Sequence, residues 1–140
     1  MTPDAIFFPA VALVLLTLLV MVRLYVARLT EMHTRGIEPQ DIATGAAATA
    51  LLRDTAAADN FRNLFEVPVL FYAICPLLYA THRTTQLQLA LAWAFVIGRW
   101  VHSLIHISYN RVMHRFTVFI VSTLCVFAMW ILFALRLWDA

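Results

Sequence analysis

Polar and charged side chains stand at two places in this chain where long apolar segments predict membrane-spanning helices. They form one group at the start of an apolar segment and a second group within the next: Asn60, Arg62, Asn63 and Glu66, then Arg99, His102 and His106. A charge at membrane depth is costly, so such residues face a bundle interior or a wet cavity and mark candidate functional sites. Two sets of polar residues are spaced three or four apart, which places each set on one face of a helix: Asp59, Arg62, Asn63 and Glu66, and Arg99, His102 and His106.

The chemistry predicted for these residues is the binding of a polar, anionic ligand. Further polar residues gather near the same membrane surface: Tyr109, Asn110, Arg111 and Arg115. We expect Glu66 and Arg99 to form a charge pair, because neither could remain buried and ionised alone. The alternative is a salt bridge that only fixes one span to its neighbour. One bridge needs two residues and the cluster offers more, which favours a hydrated pocket whose apolar helix walls admit a hydrophobic second ligand.

Metal and haem chemistry fit the pattern less well. His102 and His106 could hold zinc together with Glu66 or His114. Nearby arginines would repel a dication, however, and the sequence has no HExxH motif. Haem between helices needs an axial histidine from each of two spans, and only one span offers intramembrane histidines. We therefore predict no metal site.

The composition predicts an integral membrane protein with a single domain. Of its 140 residues, 63% are hydrophobic and 13% are charged, whereas soluble domains average roughly 45–50% and about 25%. The length accommodates about four spans of ~20 residues. The predicted fold is therefore an all-α, four-transmembrane-helix bundle covering residues 1–140. The net charge of +2 is too small to indicate a nucleic-acid partner.

The hydropathy pattern places the spans at about 6–26, 61–80, 87–108 and 116–137. Short turns predict that the last three spans are antiparallel neighbours. The Ala-rich stretch 46–58 is predicted to form a surface helix that leads directly into the second span. Pro68 and Pro76 are predicted to bend that span. The bend would either open a cavity beside Glu66 or serve packing alone.

Arginine asymmetry predicts the orientation. Most arginines lie in the first and third loops and their flanks, so the positive-inside rule places those loops in the cytoplasm and both termini outside. The first apolar run lacks a basic leading region and a small-residue cleavage site before Arg23, and it is predicted to be a retained span.

Two motifs in this chain resemble those of a known membrane family. The first is Asn63-x-x-Glu66 followed closely by Pro68, and the second is Arg99-x-x-His102 continuing to Asn110-Arg111. With four spans and a long first loop, the chain resembles the membrane-associated proteins in eicosanoid and glutathione metabolism, the MAPEG family. The pattern is more similar to a bacterial branch than to the eicosanoid enzymes.

The resemblance implies a homotrimer in a bacterial inner membrane, with glutathione bound at subunit interfaces near the cytoplasmic side. It assigns thiol binding to six residues: Asn63, Glu66, Arg99, His102, His106 and Arg62. It also implies a basic residue near the fourth span that stabilises the thiolate, with Arg111 as the first candidate and Arg115 as the second. Many members carry an arginine where this chain has Asp59, which leaves another small thiol open in place of glutathione.

Two functions follow as expectations. The first is a membrane glutathione transferase or peroxidase acting on hydrophobic electrophiles or lipid hydroperoxides. The second is a non-catalytic membrane protein that binds lipid or a protein partner in grooves between helices, since a fold does not determine a function. The expected partners are further copies of the chain, membrane lipid and a hydrophobic small molecule.

Overall fold

A computed structural model describes residues 2–53 and 55–138, and Met1, Asp54, Asp139 and Ala140 lie outside the described residues. The described chain forms six helices, with short 3-10 turns at Pro3–Ile6 and Pro39–Ile42: α1 (Phe7–Arg35), α2 (Gly45–Leu51), α3 (Ala56–Asn63), α4 (Val67–Ala80), α5 (Gln86–Ile107) and α6 (Val112–Trp138). Four segments are long and apolar enough to cross a membrane: Pro3–Arg35, Ala56–Ala80, Gln86–Ile107 and Val112–Trp138. The four predicted spans are confirmed.

The first helix is longer than its apolar run. α1 continues to Arg35, beyond the predicted end of the first span near residue 26. No glycine or proline interrupts the chain between Pro9 and Gly36, and polar residues continue a helix as readily as apolar ones. Gly36 ends α1 with a left-handed backbone (φ 65°), and its N–H bonds the carbonyl of Met32.

The second span is divided into two helices. α3 ends at Asn63, α4 begins at Val67, and Glu66 lies between them with φ −91° and ψ −99°. Pro68 lies in the first turn of α4, where an N–H has no intrahelical partner, so a helix start at Val67 accommodates this proline. The prediction that Asp59, Arg62, Asn63 and Glu66 share one helix face is therefore wrong for Glu66, which lies outside α3. Pro76 lies within α4, which continues through it.

The Ala-rich stretch also breaks where a continuous helix was predicted. α2 ends at Leu51, and Leu52 adopts an extended conformation (ψ 137°) before α3 starts at Ala56. The end of α1 holds this region: Arg35 donates to the carbonyl of Leu51 at 2.6 Å, and Glu31 accepts from the backbone N–H of Arg53 at 2.8 Å. The surface helix is therefore anchored to α1 and separated from the second span.

The spans pack around an apolar core, and indole groups connect helices that are distant in sequence. Trp100 on α5 donates to the carbonyl of Ala12 on α1 at 3.2 Å. Trp130 on α6 donates to the carbonyl of Leu70 on α4 at 3.1 Å. Large apolar side chains remain exposed along the outer faces of the helices, as expected for surfaces that meet lipid or another subunit. The polar residues buried inside this arrangement include Asn60 of α3 and Arg99, His102, Ser103 and His106 of α5.

Gly98 sets the separation of α5 and α6. A Cβ at this position would lie 2.7 Å from the Cβ of Ser122. We predict that Gly98→Ala lowers the free energy of unfolding by about 1–3 kcal/mol, because two helices must move apart. Thermal unfolding in detergent, followed by circular dichroism, measures this change.

Gly45→Ala is the matched control, because nothing lies within 4 Å of the added Cβ, and we expect a change within about 0.5 kcal/mol. Adding Ser122→Gly to Gly98→Ala removes the contacting atom and should restore most of the lost stability. Equal melting temperatures for Gly98→Ala and the parent chain would contradict this account of the helix pair.

Candidate functional site

Arg99 is the centre of the polar cluster. Its side chain is 0% exposed in the middle of α5. Its Nη2 donates to the backbone carbonyl of Asn63 at 2.8 Å, and its guanidinium carbon lies 5.1 Å from the ring centre of Phe119. The last carbonyls of a helix lack intrahelical partners. The end of α3 at Asn63 therefore supplies the acceptor that Arg99 uses.

Two further donors of Arg99, Nε and Nη1, are buried without a hydrogen-bond partner in the described chain. The predicted Glu66–Arg99 ion pair is wrong: among the described residues, no carboxylate oxygen lies within 4.0 Å of this guanidinium. Glu66 is exposed in the irregular segment before α4. It remains close enough to Arg99 for an electrostatic interaction. The break in the second span thus separates the two expected partners.

A second polar contact joins α3 to α5. The hydroxyl of Ser103 donates to Oδ1 of Asn60 at 3.0 Å, and both side chains are buried. Nδ2 of Asn60 is buried without a partner in the described residues. This contact lies one helical turn from the Arg99–Asn63 contact on each helix. Polar residues of the second and third spans thus meet at Asn60 and Asn63, whereas Arg62 of the predicted polar face lies towards α1.

Two histidines of α5 hold Arg115 at the start of α6. Nδ1 of His102 lies 3.1 Å from the backbone carbonyl of Arg115. Nη1 of Arg115 lies 2.9 Å from Nε2 of His106 and donates to Oδ1 of Asn110 at 2.9 Å. A carbonyl only accepts and a guanidinium only donates, so Nδ1 of His102 is the donor and Nε2 of His106 is the acceptor. Arg115 is therefore fixed through both its backbone and its side chain.

A hollow of about 210 Å³ opens beside these groups, and seven residues line it: Asn63, Glu66, His102, Val112, Arg115, Phe116 and Phe119. One wall comes from the break between α3 and α4, one from α5 and one from the first turns of α6. The polar part of the lining is formed by Asn63, Glu66, His102 and Arg115. The apolar part is formed by Val112, Phe116 and Phe119. Arg99 packs behind this surface, against Phe119 and the carbonyl of Asn63.

The structure separates two of the predicted site residues from the hollow. Arg62 faces α1, where it lines two other cavities with Arg28 and lies 3.6 Å from a carboxylate oxygen of Asp59. Arg111 is exposed and does not line the hollow. The structure brings six predicted residues together: Asn63, Glu66, Arg99, His102, His106 and Arg115.

Sequence reasoning missed Ser103 and Phe119. The position of Ser103, four residues after Arg99, was a usable signal, because that spacing shares a helix face. Phe119 gave no such signal, since an aromatic residue on an apolar span is expected to pack or to face lipid. Within residues 2–53 and 55–138, no group of three or more His, Cys, Asp or Glu side chains is arranged to hold a metal ion.

These features define a multi-pass, all-helical membrane protein with a buried arginine–histidine cluster beside an open hollow. The model of the MAPEG family matches residues 6–135, and the chain belongs to this family. The resemblance found in its motifs is thereby confirmed. No curated protein matches the chain, and no solved structure matches it.

The Asn60–Ser103 contact generates a stability prediction. Ser103→Ala leaves the buried Oδ1 of Asn60 without its donor, and we expect a loss of about 1–2 kcal/mol in the free energy of unfolding. Ser108→Ala is the control, because Ser108 lies at the exposed end of the same span and bonds only within its own helix. Unfolding in detergent measures both variants.

A double-mutant cycle with Asn60→Leu isolates the pair. We expect the two substitutions to be non-additive by about 1 kcal/mol, because the second removes the group that the first leaves unpaired. Full additivity would show that the two side chains are not coupled.

Proposed function

We propose that this protein is a membrane-bound transferase or peroxidase that uses glutathione, or a closely similar small thiol, against hydrophobic electrophiles or lipid hydroperoxides. One observation carries the proposal: Arg99 has two buried donors without partners in the described chain, next to a hollow lined by further polar groups. Buried donors without acceptors are costly, and an anionic ligand would relieve that cost. Membership in a glutathione-associated family supports the same ligand.

The residues around the hollow fit the chemical groups of glutathione. This tripeptide carries two carboxylates, an ammonium group, amides and a thiol. A guanidinium such as that of Arg99 binds a carboxylate in bidentate geometry. The exposed carboxylate of Glu66 suits the ammonium group, and the side-chain amide of Asn63 suits a peptide group. Phe119 packs on the guanidinium, so the proposal includes a rotation of this ring when the ligand enters.

Arg115 is the residue that we assign to thiolate stabilisation, with Arg111 as the alternative. Arg115 lines the hollow and is held by His106 and Asn110, whereas Arg111 is exposed outside the hollow. A neighbouring positive charge stabilises a thiolate relative to the thiol. When bound, the thiol supplies the nucleophile. In this assignment His102 and His106 act through Arg115, by fixing the position of its charge.

The apolar side of the hollow provides for the second substrate. Val112, Phe116 and Phe119 of α6 form the apolar part of the lining. Val112 and Phe116 are exposed on the outer surface of the bundle, so an apolar compound dissolved in the bilayer could reach the hollow from the side. This arrangement supports hydrophobic electrophiles and lipid hydroperoxides as the substrate class.

A non-catalytic function remains the second candidate, and one observation favours it. The chain has an almost wholly apolar cavity of about 300 Å³ between α1 and the second span, away from the polar hollow. A protein that only binds lipid would use such a surface and would not respond to a thiol.

A glutathione titration of the purified protein in detergent distinguishes the two functions. We expect a rise in thiolate absorbance and a rise in melting temperature for the parent chain. Arg115→Gln should abolish the thiolate signal and lower turnover of a hydrophobic electrophile by about 100-fold, the usual cost of removing one charge-stabilising group. Arg111→Gln is the matched control and should retain both signals.

A second variant distinguishes loss of the charge from misfolding of Arg115→Gln. Arg115→Lys keeps the positive charge and should retain part of the thiolate signal. Loss of the signal in Arg111→Gln alone would transfer the thiolate role to Arg111. A parent chain that shows neither thiolate absorbance nor a thermal shift would support the non-catalytic candidate.

We further propose a homotrimer in a bacterial inner membrane, with the hollow facing the cytoplasm. The open side of the hollow and the exposed apolar helix faces support contact with further copies of the chain, and the arginine distribution supports the orientation. Light scattering of the protein–detergent complex, corrected for bound detergent, should give the mass of three chains. A monomer that binds glutathione with unchanged affinity would contradict the trimeric site.

A further inference from the structure

We propose that a groove between α1 and the second span binds an anionic phospholipid, with one acyl chain in the groove and the phosphate at Arg28 and Arg62. Three adjoining cavities form this groove on the side of α3 that faces away from the polar hollow. The inference does not depend on the proposed thiol chemistry.

The deep part of the groove suits an acyl chain. It is a cavity of about 300 Å³, at the lower end of the usual size of ligand pockets, with eight lining residues: Val14, Thr17, Leu18, Met21, Phe61, Leu64, Phe65 and Tyr72. The hydroxyl of Thr17 is already bonded to the carbonyl of Leu13 at 3.0 Å. The lining therefore offers little polar chemistry to a ligand.

The mouth of the groove is charged. A second cavity, of about 470 Å³, shares Phe61 and Phe65 with the deep part and is bounded by Arg28 and Arg62. The same two arginines line a small third cavity of about 50 Å³ beneath α2, together with Asp59.

Both arginines have capacity for an anionic ligand. Nε of Arg28 is buried without a hydrogen-bond partner in the described chain. Arg62 is 68% exposed at its side chain and reaches Asp59 only at 3.6 Å. Among the described residues, two guanidinium groups thus face one carboxylate at this mouth. Arginine binds phosphate in bidentate geometry, which identifies the headgroup class.

The length of the groove matches one leaflet of a bilayer. The residues that α1 contributes recur every three or four positions from Val14 to Arg28, and at 1.5 Å per residue they cover roughly 21 Å. The apolar run before Arg23, from Ile6 to Val22, is centred on Val14. Half of a bilayer including its headgroups is about 20–22 Å thick. Arg28 therefore lies at the level of lipid phosphates when Val14 lies near the midplane.

The test compares lipid retention in the full-length protein. The protein is equilibrated in nanodiscs of equal parts phosphatidylglycerol and phosphatidylcholine and then extracted into mild detergent. Retained lipid is counted by native mass spectrometry. We expect phosphatidylglycerol to be retained in preference to phosphatidylcholine. Arg28→Gln and Arg62→Gln should each lower this preference by about fivefold, the usual effect of one basic residue near an anionic headgroup. Arg53→Gln removes an arginine that lines none of the three cavities and should leave the preference unchanged.

A second pair of variants tests the acyl-chain part. Leu18 and Leu15 lie on α1 with exposures of 48% and 49%, but only Leu18 lines the groove. Leu18→Trp should reduce retention of both lipids, and Leu15→Trp should not. Equal retention of the two lipids by the parent chain, an equal loss in Arg53→Gln, or no difference between the two tryptophan variants would overturn the proposal. None of these outcomes bears on the glutathione titration, whose variants change Arg111 and Arg115.

Discussion

The burial of one guanidinium group in an apolar helix bundle is the constraint on which the polar region of this protein depends. Arg99 is 0% exposed and cannot lose its charge, so its donors need acceptors inside the bundle. The last carbonyls of a helix have no intrahelical donor, so a helix end offers a free acceptor. The second span breaks between α3 and α4, and the end of α3 leaves the carbonyl of Asn63 for Arg99. The break in the second span therefore provides the acceptor that the buried charge of Arg99 requires.

From this contact, polar groups extend along α5 to the start of α6. Each step is a contact between neighbouring elements: Ser103 with α3, His102 with the backbone of Arg115, and His106 with its side chain. α5 thus acts as the axis that positions groups from both neighbours. Close packing of α5 on α6, which requires a glycine at position 98, keeps these contacts within hydrogen-bond distance. Packing and polar geometry are consequently linked along the same pair of helices.

Much of this arrangement could be predicted from the sequence. Hydropathy located the four spans, and the spacing of polar residues within two spans predicted that α3 and α5 meet through polar faces. The Glu66–Arg99 pair could not be predicted correctly, because the local break changes the direction of a side chain that helical periodicity would have placed beside Arg99. Hydropathy located the part of α1 that crosses the membrane, whereas the helix itself ends only at Gly36, whose left-handed backbone stops it.

Sequence patterns also could not predict which of two nearby arginines, Arg111 or Arg115, lines the hollow. Arg111 precedes α6 and Arg115 lies in its first turn, so their directions depend on the backbone of the connecting turn, where Asn110 adopts φ 47°. Spacing rules describe regular helices and give no direction for residues in such a turn. The contacts of Arg115 with His106 and Asn110 are a tertiary result.

The partner of Arg99 is a main-chain carbonyl. This end of the connection between the two spans therefore does not depend on which side chain stands at position 63. Any amino acid at position 63 that permits the same helix end would still present a carbonyl. A change of the side chain at position 63 could therefore alter the lining of the hollow while the connection between the two spans persists. Arg99 itself has no such freedom, since no other side chain brings five N–H donors to that depth. Position 63 can thus vary in what it contributes to the hollow without losing its contact with Arg99.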